Sequence, residues 1–233
     1  MQQLPLQFEF KGNQSFENFY AINNQELLAH LQQCSAGVGD RFIYLCGKKG
    51  QGKSHLLHAS CRHAQSHQRS SFYFSFLLQD FPNPDLFNGL DSYELICFDN
   101  IEQIAGLPHW EQAVFNLFNQ LWEQGHHLIV SSSKLPNASN FQLTDLKTRL
   151  NGGLTLAIQA LSDDEKIAAL SFRAKQMGFE ISPQAGQFLL AHYNRDLAAL
   201  WLLLEHLDQA SLAAQRKLTV PFLKQILASE HDL

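Results

Sequence analysis

Long apolar runs are missing from this chain of 233 residues: no segment approaches the roughly 18 apolar residues of a membrane span, and no charged-then-apolar leader opens it. The expectation is a cytoplasmic protein with no membrane partner. Basic residues are also scarce, 17 Lys and Arg against 22 Asp and Glu, for a net charge of −5 and a pI near 6.1. That balance speaks against a dedicated nucleic-acid-binding surface, because phosphate contacts need clustered Lys and Arg, although a local basic patch stays open. Cysteine is limited to Cys34, Cys46, Cys61 and Cys97, at no metal-ligand spacing; two lie in apolar strand patterns, so buried, reduced thiols are expected. His55, His58, His63, His126 and His127 likewise lack partners at metal spacing. Repeats and low-complexity segments are absent. What is abundant is apolar residues, 45% of the chain, and 18 Phe, which point to a large aromatic core, with Phe72, Phe74 and Phe76 alternating as one strand face. A chain of this size can build one core or a larger and a smaller domain, and the second is expected.

The most specific stretch is Gly47-Lys48-Lys49-Gly50-Gln51-Gly52-Lys53-Ser54, which fits G-x-x-x-x-G-K-[ST] at every fixed position. A chance match in a chain this long is on the order of one in a hundred at average glycine content. Before it runs Arg41-Phe42-Ile43-Tyr44-Leu45-Cys46, apolar and β-prone; after it residues 54–63 read as a helix with Leu56 and Leu57 facing inward. Strand, glycine loop and helix are the setting in which backbone N–H groups wrap a diphosphate, because glycine permits both the close approach and the dihedrals. The helix N-terminus adds partial positive charge. Lys53 is placed to reach the β- and γ-phosphates, Ser54 to take one position on Mg2+, and His55 follows directly as a further nucleotide-contact candidate.

Leu95-Ile96-Cys97-Phe98-Asp99 is a buried strand ending in a carboxylate, the Walker B form, and its separation from Lys53 leaves room for one helix and one intervening strand. At the C-terminal end of a parallel strand Asp99 faces the ligand crevice and can hold Mg2+ directly or through water. Asn100 follows, where an acid usually polarises the attacking water; an amide cannot accept a proton, so slow intrinsic hydrolysis is expected. Glu102 is either a substitute base or a solvated carboxylate at a helix start. Ahead of the loop, Phe19 or Tyr20 is either an adenine contact or plain core packing. After a helix over residues 110–122, whose apolar positions through Trp122 read as buried, the strand His126-His127-Leu128-Ile129-Val130 exits into Ser131-Ser132-Ser133. Ser132 or Ser133 there is either a phosphate sensor or an ordinary turn residue. Residues 154–158 form a last short strand.

Strands alternating with helices predict a three-layer α/β sheet with right-handed parallel crossovers over residues 16–159. Beyond Gln159 the pattern is helical only: Ser162-Asp163-Asp164-Glu165 caps one helix, Ser182-Pro183 opens another, Asn194 a third, and Thr219-Val220-Pro221 a fourth, a small helical lid over residues 160–233. Residues 1–15, with Gln3-Leu4-Pro5-Leu6-Gln7-Phe8, read either as a frayed terminus or as a tethered peptide that plugs a partner's apolar groove with Leu4, Leu6 and Phe8.

A P-loop sheet domain followed by such a lid resembles the AAA+ ATPases, and within them the bacterial initiator DnaA. Phe16-Glu17-Asn18-Phe19 is similar to that family's nucleotide-side box, Ser131 to Pro136 to its sensor 1 strand end, Asp145-Leu146-Lys147-Thr148-Arg149-Leu150 to its arginine-finger box, and Tyr193-Asn194-Arg195-Asp196-Leu197 to its sensor 2 helix start. Initiators continue into a helix-turn-helix domain, whereas this sequence stops at Leu233; its N-terminus and the segments 208–211 and 214–222 resemble the Hda family of initiator regulators. The resemblance implies ADP or ATP with Mg2+ as ligands and Arg195 reaching back to the phosphates. It also implies Arg149 as a finger aimed at ATP on DnaA, where a surface arginine is the alternative. Gln3, Leu4, Leu6 and Phe8 would then bind the DNA polymerase sliding clamp, with DNA met indirectly through it and a homo-oligomer left open. A helicase-loader-like adaptor and a self-sufficient ATPase are the rival expectations.

Overall fold

The computed structural model describes residues 14–77, 83–193, 199–201, 203–205 and 207. The N-terminal segment with Gln3, Leu4, Leu6 and Phe8, the sensor candidate Arg195, the start of the expected third lid helix and the whole of the expected fourth lie outside the described residues. The chain divides into two units, Met1–Gln159 and Ala160–Leu233.

In the first unit the elements run α1 (Gln25–Ser35), β1 (Phe42–Cys46), α2 (Lys53–Ser66), β2 (Ser71–Ser75), β3 (Leu95–Asp99), α3 (Pro108–Gln124), β4 (His127–Ser132), α4 (Thr144–Asn151) and β5 (Leu154–Ala157). The strands form one parallel sheet in the order β2-β3-β4-β1-β5. Strand alternation sorts side chains to two faces. Phe42, Tyr44, Phe72, Phe74, Phe76, Ile96, Phe98, Leu128 and Val130 pack with α3 and α4 on one. Ile43, Leu45, Leu95, Cys97 and Ile129 pack with α1 and α2 on the other. The expected phenylalanine face is present and forms an edge-to-face cluster, Phe74 with Phe76 and Phe87 at centroid separations of 5.0 and 5.6 Å, closed by Trp110. Such pairs add about 0.5–1.5 kcal/mol each beyond the area they bury.

The four cysteines are free, as the sequence suggests, and burial drives the Cys34 thiol up to about 12 and that of Cys97 upward as well, so both stay protonated. One expectation fails. Trp122 does not enter the core but is 46% exposed, at the edge of a stripe whose Leu121 in the same turn of α3 is buried. Pro108 at the first position of α3 and Gly125 just past its end, at φ 75°, set its limits.

Two polar side chains hold the connections of this unit. Glu111, fully buried in the first turns of α3, accepts from Gly106 N at 2.7 Å, from Gln142 N at 2.9 and 3.1 Å and from Leu143 N at 2.6 Å. Leu143 is the N-cap of α4, so one carboxylate fixes where α4 begins. Arg69 donates to Cys34 O (3.2 Å) and Ser35 O (2.9 Å) at the end of α1, to Glu94 O (3.1 Å) before β3, and to His127 Nδ1 (3.1 Å) on β4. A guanidinium only donates, so Nδ1 of His127 accepts and the imidazole is neutral.

In the second unit α5 (Asp163–Gln176) starts on a capping box, with Ser162 Oγ accepting from Glu165 N at 3.3 Å and Glu165 accepting from Ser162 N at 2.7 Å. Helix α6 (Pro183–His192) starts on Ser182, which accepts from Ala185 N. Leu170, Leu189, Leu190, Leu200, Leu204 and Leu207 form its core. Among the described residues no helix is long and apolar enough to cross a membrane.

Replacing Glu111 with Ala leaves a cavity and three partly buried backbone N–H groups without their acceptor; we expect a loss of about 1–3 kcal/mol, read as a lowered midpoint in urea unfolding. His127 sets an acid dependence. Burial, with Arg69 and Arg41 nearby, lowers its pKa to about 4, so from about pH 6.5 down to 4 the unfolded chain binds a proton that the folded one refuses. Stability from this group is therefore complete above pH 6.5 and lost on acidification through that window. The difference in unfolding free energy between about pH 7 and pH 5 should shrink in His127→Asn.

Candidate nucleotide site

The loop 47–54 leaves the C-terminal end of β1 and enters α2 where the sequence places it. Gly52 is at φ 90°, and a Cβ there would meet Phe19 Cε2 at 2.8 Å, so glycine is required both by the left-handed backbone and by the ring packed on it. Gln51 Oε1 accepts from Lys48 N at 2.6 Å and shapes the turn from inside. Lys53 is buried and bends its ammonium back across the loop, donating to the carbonyl oxygens of Gly47 (2.7 Å) and Lys48 (3.1 Å), while Lys48 and Lys49 are exposed. Among the described residues no side chain caps the N-terminus of α2, so its first N–H groups are available to an anion.

Strand parity assembles the rest. Leu95, Cys97 and Asp99 face α2, as do Tyr73 on β2 and Ile129 and Ser131 on β4. Asp99, 1% exposed, accepts from three hydroxyls: Ser54 Oγ at 2.5 Å and Tyr73 OH at 2.9 Å on Oδ2, and Ser131 Oγ on Oδ1. Burial and then the Asp99 charge push the Tyr73 phenol far above its ordinary value, which keeps it a donor. His58 stacks on Tyr73 at 3.9 Å, and burial lowers its pKa despite Asp99.

Asn100 is left-handed, at φ 60° and ψ 48°, a conformation asparagine tolerates better than most residues. Its N–H donates to Ser131 Oγ at 3.1 Å, and its Nδ2 is buried with no hydrogen-bond partner among the described residues. Glu102 Oε1 accepts from Ser133 N (2.9 Å) and Ser133 Oγ (2.6 Å), tying the exit of β4 to the turn after β3. Ser132 lies beside the loop, its carbonyl accepting from Gly47 N at 3.0 Å and its Oγ from Lys134 N at 3.1 Å. His55 Nε2 donates to Ser15 O (2.8 Å) and its ring sits 5.8 Å from the Phe19 ring, so it fastens the segment that carries Phe19 and the partly buried Tyr20 to α2.

The family profile of the bacterial DnaA ATPase domain matches residues 10–157, well over half of the chain, and that of the Hda lid domain matches residues 163–227. The chain belongs to the bacterial DnaA ATPase family. Solved structures agree in fold. Domain III of the replication initiation protein DnaA from Thermotoga maritima superposes with a TM-score of 0.74 at 16% identity, covering 89% of this chain and 92% of that one. A replication initiator DnaA bound to AMPPCP and single-stranded DNA gives 0.72 at 18%, covering 86% and 67%. The Thermotoga maritima RuvB branch migration motor gives 0.70 at 14%, covering 93% and 72%. The protein is thus a DnaA-related AAA+ protein with a helical lid.

In this DnaA-family fold the other sequence candidate, Arg149, is not with the loop. It lies at the end of α4, ahead of Gly152 and Gly153, and β5 then pairs with β1 from Ile43↔Leu154 to Cys46↔Ala157. A Cβ at Gly153 would run into the Phe42 ring, which is how α4 turns so tightly onto the start of β1. Arg149 is exposed beside the beginning of β1 and the loop follows its end, about 15 Å of strand away.

Among the described residues no group of three or more His, Cys, Asp and Glu could hold a metal ion. The donor set at the loop is one hydroxyl and one carboxylate, Ser54 and Asp99, which fits Mg2+ that keeps several waters and takes its remaining ligands from phosphates. Ser131 and Tyr73 are the site residues that sequence reading missed. Parity could have found Ser131, since a strand that buries Ile129 toward α2 must send Ser131 the same way and Ser132 the other. Hydrogen bonds to a charged group are each worth about 1.5–3 kcal/mol. Ser131→Ala should therefore weaken Mg2+-dependent nucleotide binding by roughly tenfold or more, and Ser133→Ala far less, in a titration with a fluorescent nucleotide.

Proposed function

We propose that this DnaA-related AAA+ protein is a negative regulator of replication initiation that stimulates hydrolysis of ATP held by the initiator DnaA. The observation that carries the reading is the placement of Arg149, exposed and at the opposite end of β1 from its own glycine loop. A guanidinium there is out of reach of a nucleotide on the same chain and open to one on a partner. In the partner, water attacks the γ-phosphorus and the bond to the bridging oxygen breaks, giving ADP and phosphate; the cation stabilises charge that develops on the transferred group, worth roughly 10^3–10^5 in rate for fingers supplied in trans.

On this reading the chain's own site holds ADP, or ATP, with Mg2+. Gly47, Lys48, Lys49, Gly50, Gln51, Gly52, Lys53 and Ser54 wrap the phosphates, Ser54 and Asp99 serve the metal, and Phe19 with Tyr20 flanks the base. His55 supports Phe19 from α2, while Ser132 and Ser133 line the phosphate end and Arg195 closes from the lid. Asn100 supports a diphosphate-bound regulator, since its amide orients water and accepts no proton. Residues 1–15 act as the tether, with Gln3, Leu4, Leu6 and Phe8 docked on the DNA-loaded sliding clamp, which raises the local concentration of the protein near its client. The likeness to an initiator described with AMPPCP and single-stranded DNA supports a nucleotide ligand and a replication setting.

The decisive measurement is hydrolysis of DnaA-bound ATP with DNA-loaded clamp, comparing the ADP-loaded protein with Arg149→Ala. We expect strong stimulation by the first and a loss of about a thousandfold or more in the second, with nucleotide and clamp binding kept. Absence of stimulation by the unaltered protein, nucleotide bound and clamp engaged, would leave an AAA+ adaptor with another client.

A further inference from the structure

Arg149 does not stand alone. Four side chains stack in series across α3: the Arg41 guanidinium lies 3.9 Å from the centre of the Trp122 ring, Trp122 and Phe118 stack at 6.1 Å with planes 11° apart, and the Arg149 guanidinium lies 5.6 Å from Phe118. Phe118 and Trp122 are four residues apart on one helix and therefore share a face. All four line a groove of about 570 Å3 whose single acid is Asp40. That carboxylate is engaged by His30 Nδ1 at 3.2 Å. Neither Arg41 nor Arg149 has an ion pair among the described residues. The groove thus presents two cations held on aromatic rings, one of which, Trp122, is half open to solvent.

We infer that this ladder is a docking strip for an acidic protein face of the AAA+ partner, with Arg41 taking a partner carboxylate beside the nucleotide that Arg149 reaches. The inference rests on the reading of Arg149 as a cation acting in trans. Charge complementarity selects the occupant. Two guanidiniums without counter-ions inside a chain of net charge −5 favour an anion, and an exposed tryptophan between them favours a protein surface, since Trp and Arg dominate the energetics of such interfaces. Two rings separate the cations, so a phosphate group seated on Arg149 leaves Arg41 for a different anion. The planar fork of arginine matches a carboxylate with two parallel hydrogen bonds, and stacking on Trp122 fixes its plane before the partner arrives.

The roles separate experimentally, because docking sets half-saturation whereas the finger sets turnover. The test titrates the full ADP-loaded chain, with DNA-loaded clamp present, against ATP-loaded DnaA, reading association by fluorescence anisotropy and ATP hydrolysis in parallel, at low and high salt. We expect Arg41→Glu to weaken association about tenfold or more and to flatten its salt dependence, and Arg149→Ala to lower maximal turnover while association changes by less than about threefold. Arg41→Gln, which keeps a planar group on the ring without charge, gives the same comparison should the charge reversal fail to fold. Association curves for the Arg41 variants superimposable on the unaltered protein at both salts, with Arg149-dependent hydrolysis intact, overturn the docking strip alone. Failure of the unaltered protein to associate with or stimulate DnaA overturns the finger reading and the strip together.

Discussion

A single buried carboxylate sets the terms for the centre of this molecule. Asp99 is taken almost fully out of water, and an ionised group in that position persists only where donors replace its hydration. The three hydroxyls come from three different elements: Ser54 opens α2, Tyr73 lies on β2 and Ser131 on β4. What neutralises the burial cost therefore also fastens the helix of the glycine loop to three neighbouring strands. The geometry of the phosphate end is a consequence of satisfying one acid, and the backbone at Asn100, bonded to the same Ser131 hydroxyl, inherits its unusual conformation from it.

A second buried acid works on the other face of the sheet, where α3 and α4 begin after the ends of β3 and β4. Glu111 gathers backbone N–H groups from residues 106, 142 and 143, so the start of α4 is fixed from the interior, and the helix carries its arginine to the rim as a rigid arm. The aromatic shelf of α3 lies directly beneath that arm. In both places a charge that would be a liability in an apolar core is spent on organising backbone, and the solvent-facing cations gain fixed positions without ion pairs of their own.

The fold was legible because its signals are local and periodic. The glycine loop, the strand ending at Asp99 and the capping box at Ser162 each declare themselves within eight residues, and the parallel sheet follows from their order. The core face of Phe72, Phe74 and Phe76 is a period of two that needs no partner to be seen. Ser131 was overlooked in favour of its neighbours because three serines in a row carry no label, and only the parity of the strand distinguishes them. Tyr73 and Glu111 were invisible for a different reason: their partners lie 26 and 31 residues away or more, and no local pattern reports a contact made through the fold. Trp122 shows the converse error, since helical spacing identifies a stripe but not which residues at its edge stay open to solvent.

The separation of glycine loop and arginine along β1 gives the domain a polarity, with two ends that are unlike. That separation follows from where Gly153 lets α4 turn against Phe42. Where two unlike ends meet, the contact is heterologous, each copy using a different patch. Repeated, such a contact either closes into a ring or leaves one loop end and one arginine unused.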